Sequence, residues 1–393
     1  MILLLALSAC ARPECSQPAY DRAECRVQAE SALARLVTSS GVDLRFQEPG
    51  AESVEGWSAK GLIRQAEDGE LSARVNTLGD FALSLDGEPG EIVELIVDNV
   101  HPDAPPLLGE VSASGLRREL SLTLGTEPLL IEGGLPEAAC DGSFRLVAGG
   151  DIQTNPLQFK RIVEDLQFEV EAGDEAGQPL LGMLVLGDIS EHSLAAEFEQ
   201  VLEILQQSPV PAVVIPGNHD IYDSQDAIFN RNFGPGNVAF DVCESRLVLL
   251  DSGNGHIADS VQGRLPELIG QGSGQLLAGF HHPLYPGQRG AGWTSEDQSE
   301  LVLAELAASQ VDLVLAGHLH MRLEPAWSPV PEVIVGTLGA NQGAGSPDYG
   351  VLRVVLDGSG EGGPDWCFVP SLAPGLEASP RSDAEPVICS GLR

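Results

Sequence analysis

Five short motifs carry side chains suited to metal and proton chemistry. They are Gly149-Gly150-Asp151-Ile152-Gln153, Gly187-Asp188, Gly217-Asn218-His219-Asp220, His281-His282-Pro283 and Gly317-His318-Leu319-His320. Their donors are carboxylates, amides and imidazoles, a mixed oxygen and nitrogen set that suits borderline-hard metals such as Zn, Mn or Fe. Taken singly each signal is weak: a Gly-Asp pair is a common turn, and a buried histidine usually satisfies a hydrogen bond in a core. The weight lies in their order, since each motif follows a short apolar run.

Those runs, Phe144–Gly150, Leu180–Gly187, Ala212–Pro216, Leu276–Phe280 and Val311–Ala316, read as buried strands. Amphipathic stretches lie between them. Phe159, Ile162, Val163, Leu166 and Val170 share one helical face, as do Leu194, Phe198, Val201, Leu202 and Leu205. Asn155-Pro156 offers an N-cap and a first-turn proline, and Ser295 with Gln298 a capping-box start. This alternation predicts an α/β domain over 143–360, closed by strands at Val333–Gly336 and Val351–Leu356. In such sheets, sites form at the carboxyl ends of strands, so all five motifs point to one rim. Glycines in them let the backbone turn sharply and bring ligands close.

Upstream the texture differs. Between 42 and 135, short alternating runs such as Asp43–Phe46, Glu91–Val97, Glu119–Leu124 and Leu129–Glu132 are separated by Gly, Pro, Asp and Asn clusters. No long helical period is visible, so this part reads as a small all-β sandwich-like domain. Residues 11–41 read as a tether and a short helix, and 361–393, rich in Gly, Pro and Ser, as an irregular tail. The first ten residues resemble a secretory signal ending in a lipobox, Leu7-Ser8-Ala9-Cys10, with Cys10 the lipidated residue. An ordinary signal cleaved near Ala9 or Ala11 is the alternative. The expectation is an exported bacterial envelope lipoprotein, periplasmic or outer-membrane, with secretion as the alternative. Six cysteines remain after Cys10, an even number that suits disulfides in an exported chain, with local pairs such as Cys15–Cys25 and Cys367–Cys389 as candidates.

The chain has 21 basic and 58 acidic residues, a net charge of −37. A surface that negative disfavours nucleic-acid binding and leaves a lipid anchor as the only expected membrane contact. No protein partner is identifiable.

The order Asp-x-Gln, Gly-Asp, Gly-Asn-His-Asp, His-x-Pro, Gly-His-x-His resembles the calcineurin-like metallophosphoesterases, a superfamily with purple acid phosphatases, Ser/Thr phosphatases and cyclic-nucleotide phosphodiesterases among its members. Phe233-Gly234-Pro235 leading to Val248–Ser252, and Tyr349–Leu352, also look like that family's pattern. The resemblance covers about 144–357. It implies a four-layer α/β/β/α sandwich, two divalent or trivalent metal ions (Fe, Mn or Zn), and a small phosphorylated substrate. The implied reaction is hydrolysis of phosphate mono- or diesters by attack of a metal-bridging hydroxide. Carried over residue by residue, Asp151 and His320 bind the first metal, Asp188 bridges, and Asn218, His281 and His318 complete the second. His219 would donate a proton to the leaving oxygen, with Asp220 orienting its ring. His282 would face substrate or pack, and His192 and Arg289 are further substrate-contact candidates. Two positions depart from the pattern. Gln153 stands where the first motif usually has His, which predicts a weaker or different first-metal site. Glu191 stands where the purple enzymes carry Tyr, so no tyrosinate–iron colour is expected. The alternative is a weakly active or inactive metal-binding lipoprotein that retains the fold, and Gln153 is its only support.

Overall fold

The alternating runs of the N-terminal third and the unbroken apolar runs beyond residue 143 fold into different kinds of sheet. The computed structural model describes residues 22–47, 60–136, 138–221, 228–270, 274–284, 292–324, 329–341, 349–371 and 388–389. Cys10 and Arg289 lie outside the described residues.

Helix α1 (Arg22–Leu33) is followed by nine strands: β1 (Arg35–Val37), β2 (Asp43–Gln47), β3 (Gly61–Gln65), β4 (Leu71–Val75), β5 (Phe81–Asp86), β6 (Ile92–Asp98), β7 (Glu110–Ser114), β8 (Arg117–Thr123) and β9 (Leu129–Gly133). They form two sheets, β1-β2-β5-β9 and β3-β4-β6-β8-β7. Strands such as β2 and β8 alternate buried and more exposed residues, as half-buried strands must. Their inner faces meet in one core that includes Leu44, Phe46, Phe81, Leu83, Leu95 and Leu120.

The rest of the chain runs β10 (Ser143–Gly149), α2 (Pro156–Ala176), β11 (Leu180–Leu186), α3 (Ala195–Leu205), β12 (Ala212–Ile215), α4 (Ile228–Phe233), β13 (Val238–Val242), β14 (Ser245–Leu250), α5 (Asp259–Gln262), α6 (Leu265–Ile269), β15 (Leu276–Phe280), α7 (Glu296–Ala308), β16 (Leu313–Ala316), β17 (Arg322–Leu323), β18 (Glu332–Val335), β19 (Gly350–Asp357), β20 (Asp365–Pro370) and β21 (Ile388–Cys389). Two sheets result, β12-β11-β10-β19-β20-β21 and β13-β14-β15-β16-β18-β17. Phe144, Leu146, Leu184 and Leu186 of the first pack on Leu247, Leu249, Leu277 and Leu315 of the second. Helices α2, α3 and α4 cover the outside of the first sheet. Helices α1, α5, α6 and α7 cover the outside of the second. The order of layers is α/β/β/α. The α2 and α7 starts are capped as the sequence predicts, by Asn155 Oδ1 and Ser295 Oγ, each accepting from the backbone three residues on.

Three features differ from the sequence reading. The tail read as irregular supplies β20 and β21, which extend the first sheet beyond β19. Gly and Pro nearby mask a strand whose partners are distant in sequence. Helix α1 is the short helix read there, but it is docked on the domain that follows: Arg26 makes a buried bidentate pair with Asp251, and buried Glu30 accepts from Gly236 N, Asn237 N and Asn237 Nδ2.

The third difference is that the N-terminal β region is built into its neighbour. Asn99 exchanges two hydrogen bonds of 2.9 Å with the backbone of Ala212, and Asn76 exchanges two with that of Val214. Each primary amide acts as one residue of a strand, so the outward backbone groups of edge strand β12 are satisfied. Leu78 enters the core between the two sheets, against Gly182, where a Cβ would stand 2.4 Å from it. The Cys140–Cys243 disulfide ties the segment before β10 to the β13–β14 turn. Cys25 and Cys367 are also disulfide-bonded, and the β20–β21 register sets Cys367 opposite Cys389.

Candidate metal centre

Asp151 follows β10, Asp188 follows β11, Asn218 follows β12, His281 follows β15, and His318 and His320 follow β16. Parallel pairing of β10 with β11 and β11 with β12, and of β14 with β15 and β15 with β16, puts all these ends on one rim. Close approach there requires glycine. A Cβ on Gly187 would stand 2.6 Å from His281 Nδ1, and one on Gly217 2.2 Å from Asp188 Oδ1. Asp151, Gln153, Asp188, His318 and His320 all have positive φ, five of the nine such non-glycine residues among those described. Backbone strain is thus concentrated where the donors converge, as at many functional sites.

Two groups of donors meet. In one, His281 Nε2 lies 3.0 Å from Asn218 Oδ1, 3.1 Å from His318 Nδ1 and 3.3 Å from Asp188 Oδ2. His281 Nδ1 donates to the Leu186 carbonyl at 2.8 Å, which leaves the Nε2 lone pair turned into the group. Acceptor atoms this close need a shared proton or a cation between them. Burial alone would lower His281, but the neighbouring Asp188 carboxylate outweighs it and draws the ring up to about 9. In the other group, Asp151, Asp188 and His320 are close enough to share one ion. Gln153 Nε2 lies 2.5 Å from Asp188 Oδ2 and 3.3 Å from His320 Nε2. His320 Nδ1 is held by the Asn341 carbonyl, so its Nε2 faces Asp151 Oδ1 at 3.5 Å. Asp188 Oδ2 stands between the two groups. Burial pushes Asp151 well above the usual carboxylate range, and the His318 backbone N–H, 2.9 Å from both of its oxygens, opposes this. The donor set fits two cations that share Asp188, and the His281 and His320 imidazoles are fixed through their far nitrogens, as in metal sites generally.

The remaining candidates divide. His282 joins the first group, buried, with its ring centroid 4.4 Å from that of His318 and its Nδ1 without a hydrogen-bond partner. Half-buried His219 lies at the rim, with its N–H on Asp188 Oδ1 and its Nδ1 3.0 Å from the Glu191 carbonyl. Asp220 does not orient that ring. Its buried carboxylate accepts from Ile189 N, Ser190 N, Ser190 Oγ and Gly217 N, and so ties the loop after β11 to the loop after β12. His192 is exposed and paired with Glu197 at the start of α3, outside both groups.

Sequence reasoning missed the residues that hold the ligands. Ser252 Oγ accepts from both His281 N and His282 N. The Asp151 carbonyl accepts from Thr337 Oγ1, Gly339 N and Ala340 N. The indole of buried Trp293 donates to the His282 carbonyl. Only Asp251-Ser252, at a strand end, carried a signal that could have found one of them.

Two facing sheets flanked by helices, with carboxylate, amide and imidazole donors at their strand ends, make up the calcineurin-like architecture. The model of the family "Calcineurin-like phosphoesterase" matches residues 144–322 of the chain. Among curated relatives, a probable cyclic nucleotide phosphodiesterase of Synechococcus sp. is 28% identical over 145 residues, 35% of this chain and 57% of that one. A 3',5'-cyclic-nucleotide phosphodiesterase of Nostoc sp. is 26% identical over 151 residues, 35% of this chain and 55% of that one. The chain spans about half the length of the curated relatives it matches. Among solved structures, purple acid phosphatase PPD1 from yellow lupin aligns with a TM-score of 0.48 at 11% identity, covering 75% of this chain and 70% of that one.

Proposed function

We propose that the protein hydrolyses esters of phosphoric acid at this centre, with small phosphorylated molecules as substrates. The observation that carries the reading is the shared carboxylate: Asp188 lies within reach of both donor groups. Two metals held there would lower the pKa of a water and clamp the phosphoryl oxygens. Asn218, His281 and His318 would hold one, and Asp151, His320 and the amide oxygen of Gln153 the other. On a chain of net charge −37, such a centre is also what draws an anionic substrate in. The Glu191 carbonyl fixes the His219 ring at the rim, where it would give a proton to the departing alkoxide. The named activities of the matched relatives make cyclic nucleotides and other diesters the first substrates to test.

The test is turnover of aryl mono- and diesters and cyclic nucleotides by the metal-loaded full chain. Wild type should turn over at least one class, and Asp188→Ala should lose about a thousandfold or more. Turnover equal to wild type in Asp188→Ala would sink the assignment.

We further propose that the protein works outside the cytoplasm, anchored through Cys10. The Cys140–Cys243 disulfide supports an oxidising compartment. Metabolic labelling with palmitate should mark the wild type and not Cys10→Ala. Label retained by the variant counts against the anchor.

A further inference from the structure

A second polar site lies between the N-terminal sandwich and the catalytic domain. Its residues are set by register. Arg74 of β4 lies opposite Asp98 of β6, Asp98 opposite Arg117 of β8, and Arg117 opposite Ser114 of β7. Four neighbouring strands thus place one polar rung at a single level of the sheet, where in-register side chains share a face. With Asn99 and Gln206 this rung lines a cavity of about 140 Å³. A single water needs only about 10–15 Å³ of such space, so there is room for a polyatomic guest.

Arg74 is the unusual member. It is only 7% exposed, and its Nε and Nη2 are buried without any hydrogen-bond partner. Its guanidinium lies 6.0 Å from the ring of Phe233, at the end of α4. Leaving a buried guanidinium nitrogen unpaired is costly, and chains rarely retain one without use for it. Asp98 is its neighbour on the rung, but the two form no ion pair; Arg117 also lies 3.6 Å from the exposed Glu119 carboxylate outside the lining, so Arg74 is the cation left without an ion-pair partner. Positive charge is scarce here, with 21 basic residues against 58 acidic ones, so such a cation stands out from its surroundings. Asn99 joins the site to the catalytic domain, because the same side chain closes the edge of β12 at Ala212. Gln206 comes from the end of α3. The cavity therefore lies where β12 begins, and Asn218 lies beyond the other end of that strand.

We propose that this cavity binds a small oxyanion of the size of phosphate, held by Arg74 and Arg117 with Ser114 and Gln206 as further donors, between the sandwich and the catalytic domain. The inference does not rest on the phosphoesterase reading.

The test uses the full chain in an Asp188→Ala background, where binding of phosphate at the metal centre is impaired. Inorganic phosphate is titrated calorimetrically against this protein and against two further variants. Expected is one phosphate per chain, weakened roughly tenfold or more by Arg117→Gln, the loss expected for a charge-assisted hydrogen bond. Arg117 is 42% exposed and its pair with Glu119 is at the surface, so this variant is expected to keep its fold. Arg74→Met should abolish the heat and remove the rise in Tm that phosphate gives. If Arg74→Met does not fold, Arg117→Gln decides alone. An absence of heat at millimolar phosphate, or the same affinity in Arg117→Gln, would overturn the proposal and leave a water-filled cavity. Loss of turnover in Asp188→Ala with phosphate still bound would separate this site from the metal centre.

Discussion

The two halves of the proposed metal centre are held in different ways. His281 is fully buried, its Nδ1 is bonded to Leu186, and its backbone N–H is bonded to Ser252. Every contact that orients it comes from the sheet or from the residues that end a strand. The half containing Asp151 and His320 is looser: the His320 side chain is 21% exposed and leans on the Asn341 carbonyl of a loop. It also contains the amide of Gln153, whose nitrogen donates to the carboxylate that both halves share. To serve as a ligand there the amide must turn its oxygen inward and release that hydrogen bond. An imidazole in the same place would only need to lose a proton. Taking a cation costs the first half the proton held on His281, while the other half must in addition turn the Gln153 amide and break its hydrogen bond to Asp188.

Removing one ligand from each half tests that difference most severely. His281→Ala should lose both metals from the isolated full chain and lower turnover by roughly a hundredfold or more, because its partners Asn218 and His318 are arranged around its Nε2. His320→Ala should lose one metal and keep the other. Elemental analysis after gel filtration, read beside turnover, decides. Equal metal losses in the two variants would show that the halves do not differ.

Much of this centre was legible because its chemistry lies in side-chain identity. Asp, Asn and His after apolar runs are visible in a string of letters, and the strands that carry them are unbroken Leu/Val/Ala segments such as 180–186 and 313–316. What was not legible is supplied by the main chain. The carbonyls of Leu186, Glu191 and Asn341 set three imidazole rings, and every residue has a carbonyl. Asp220 shows the converse error. Its place next to His219 suggested that it orients the ring, yet its four donors come from two loops that only the fold brings together. The same holds for Asn76 and Asn99. As letters they are ordinary turn or strand-end residues, and only the position of β12 makes them an edge cover. β20 was hidden by its Gly- and Pro-rich surroundings, since its pairing with β19 is a long-range fact.

A milder substitution sharpens the comparison. Gln153→His should strengthen the first-metal half by restoring an imidazole beside Asp188 and His320. Changing even a residue that only supports a metal ligand is typically worth about 10–100-fold in metal affinity, and an imidazole in place of the amide should gain at least the lower end of that range. Competition with a chelator of known affinity should show the weaker of two metal-binding steps tightening in the variant while the stronger stays in place. An unchanged weaker step would mean that Gln153 already serves as well as histidine.

The smallest effect concerns what stiffens the other half. Glu30 of α1 accepts from Asn237, Asn237 accepts from the backbone N–H of Asp251, and Ser252 beside it holds His281 and His282. Burial, reinforced by Asp251, raises Glu30 from its ordinary 4.5 to about 8. Between those values the folded chain keeps a proton that the unfolded chain has lost. Stability contributed by the neutral carboxyl is therefore present at low pH and drains away as pH rises through that window. Glu30→Gln keeps an oxygen for the same donors and cannot ionise, so it should remove this slope. Thermal unfolding of the full chain should place the variant's Tm about 2 °C or more higher, relative to wild type, at pH 8.5 than at pH 5.5. Parallel pH profiles would mean that Glu30 is ionised in the folded chain. The anchor of α1 on the Asp251–Ser252 turn would then be a charged network with Arg26, whose pairing with Asp251 would carry the support now assigned to the neutral carboxyl.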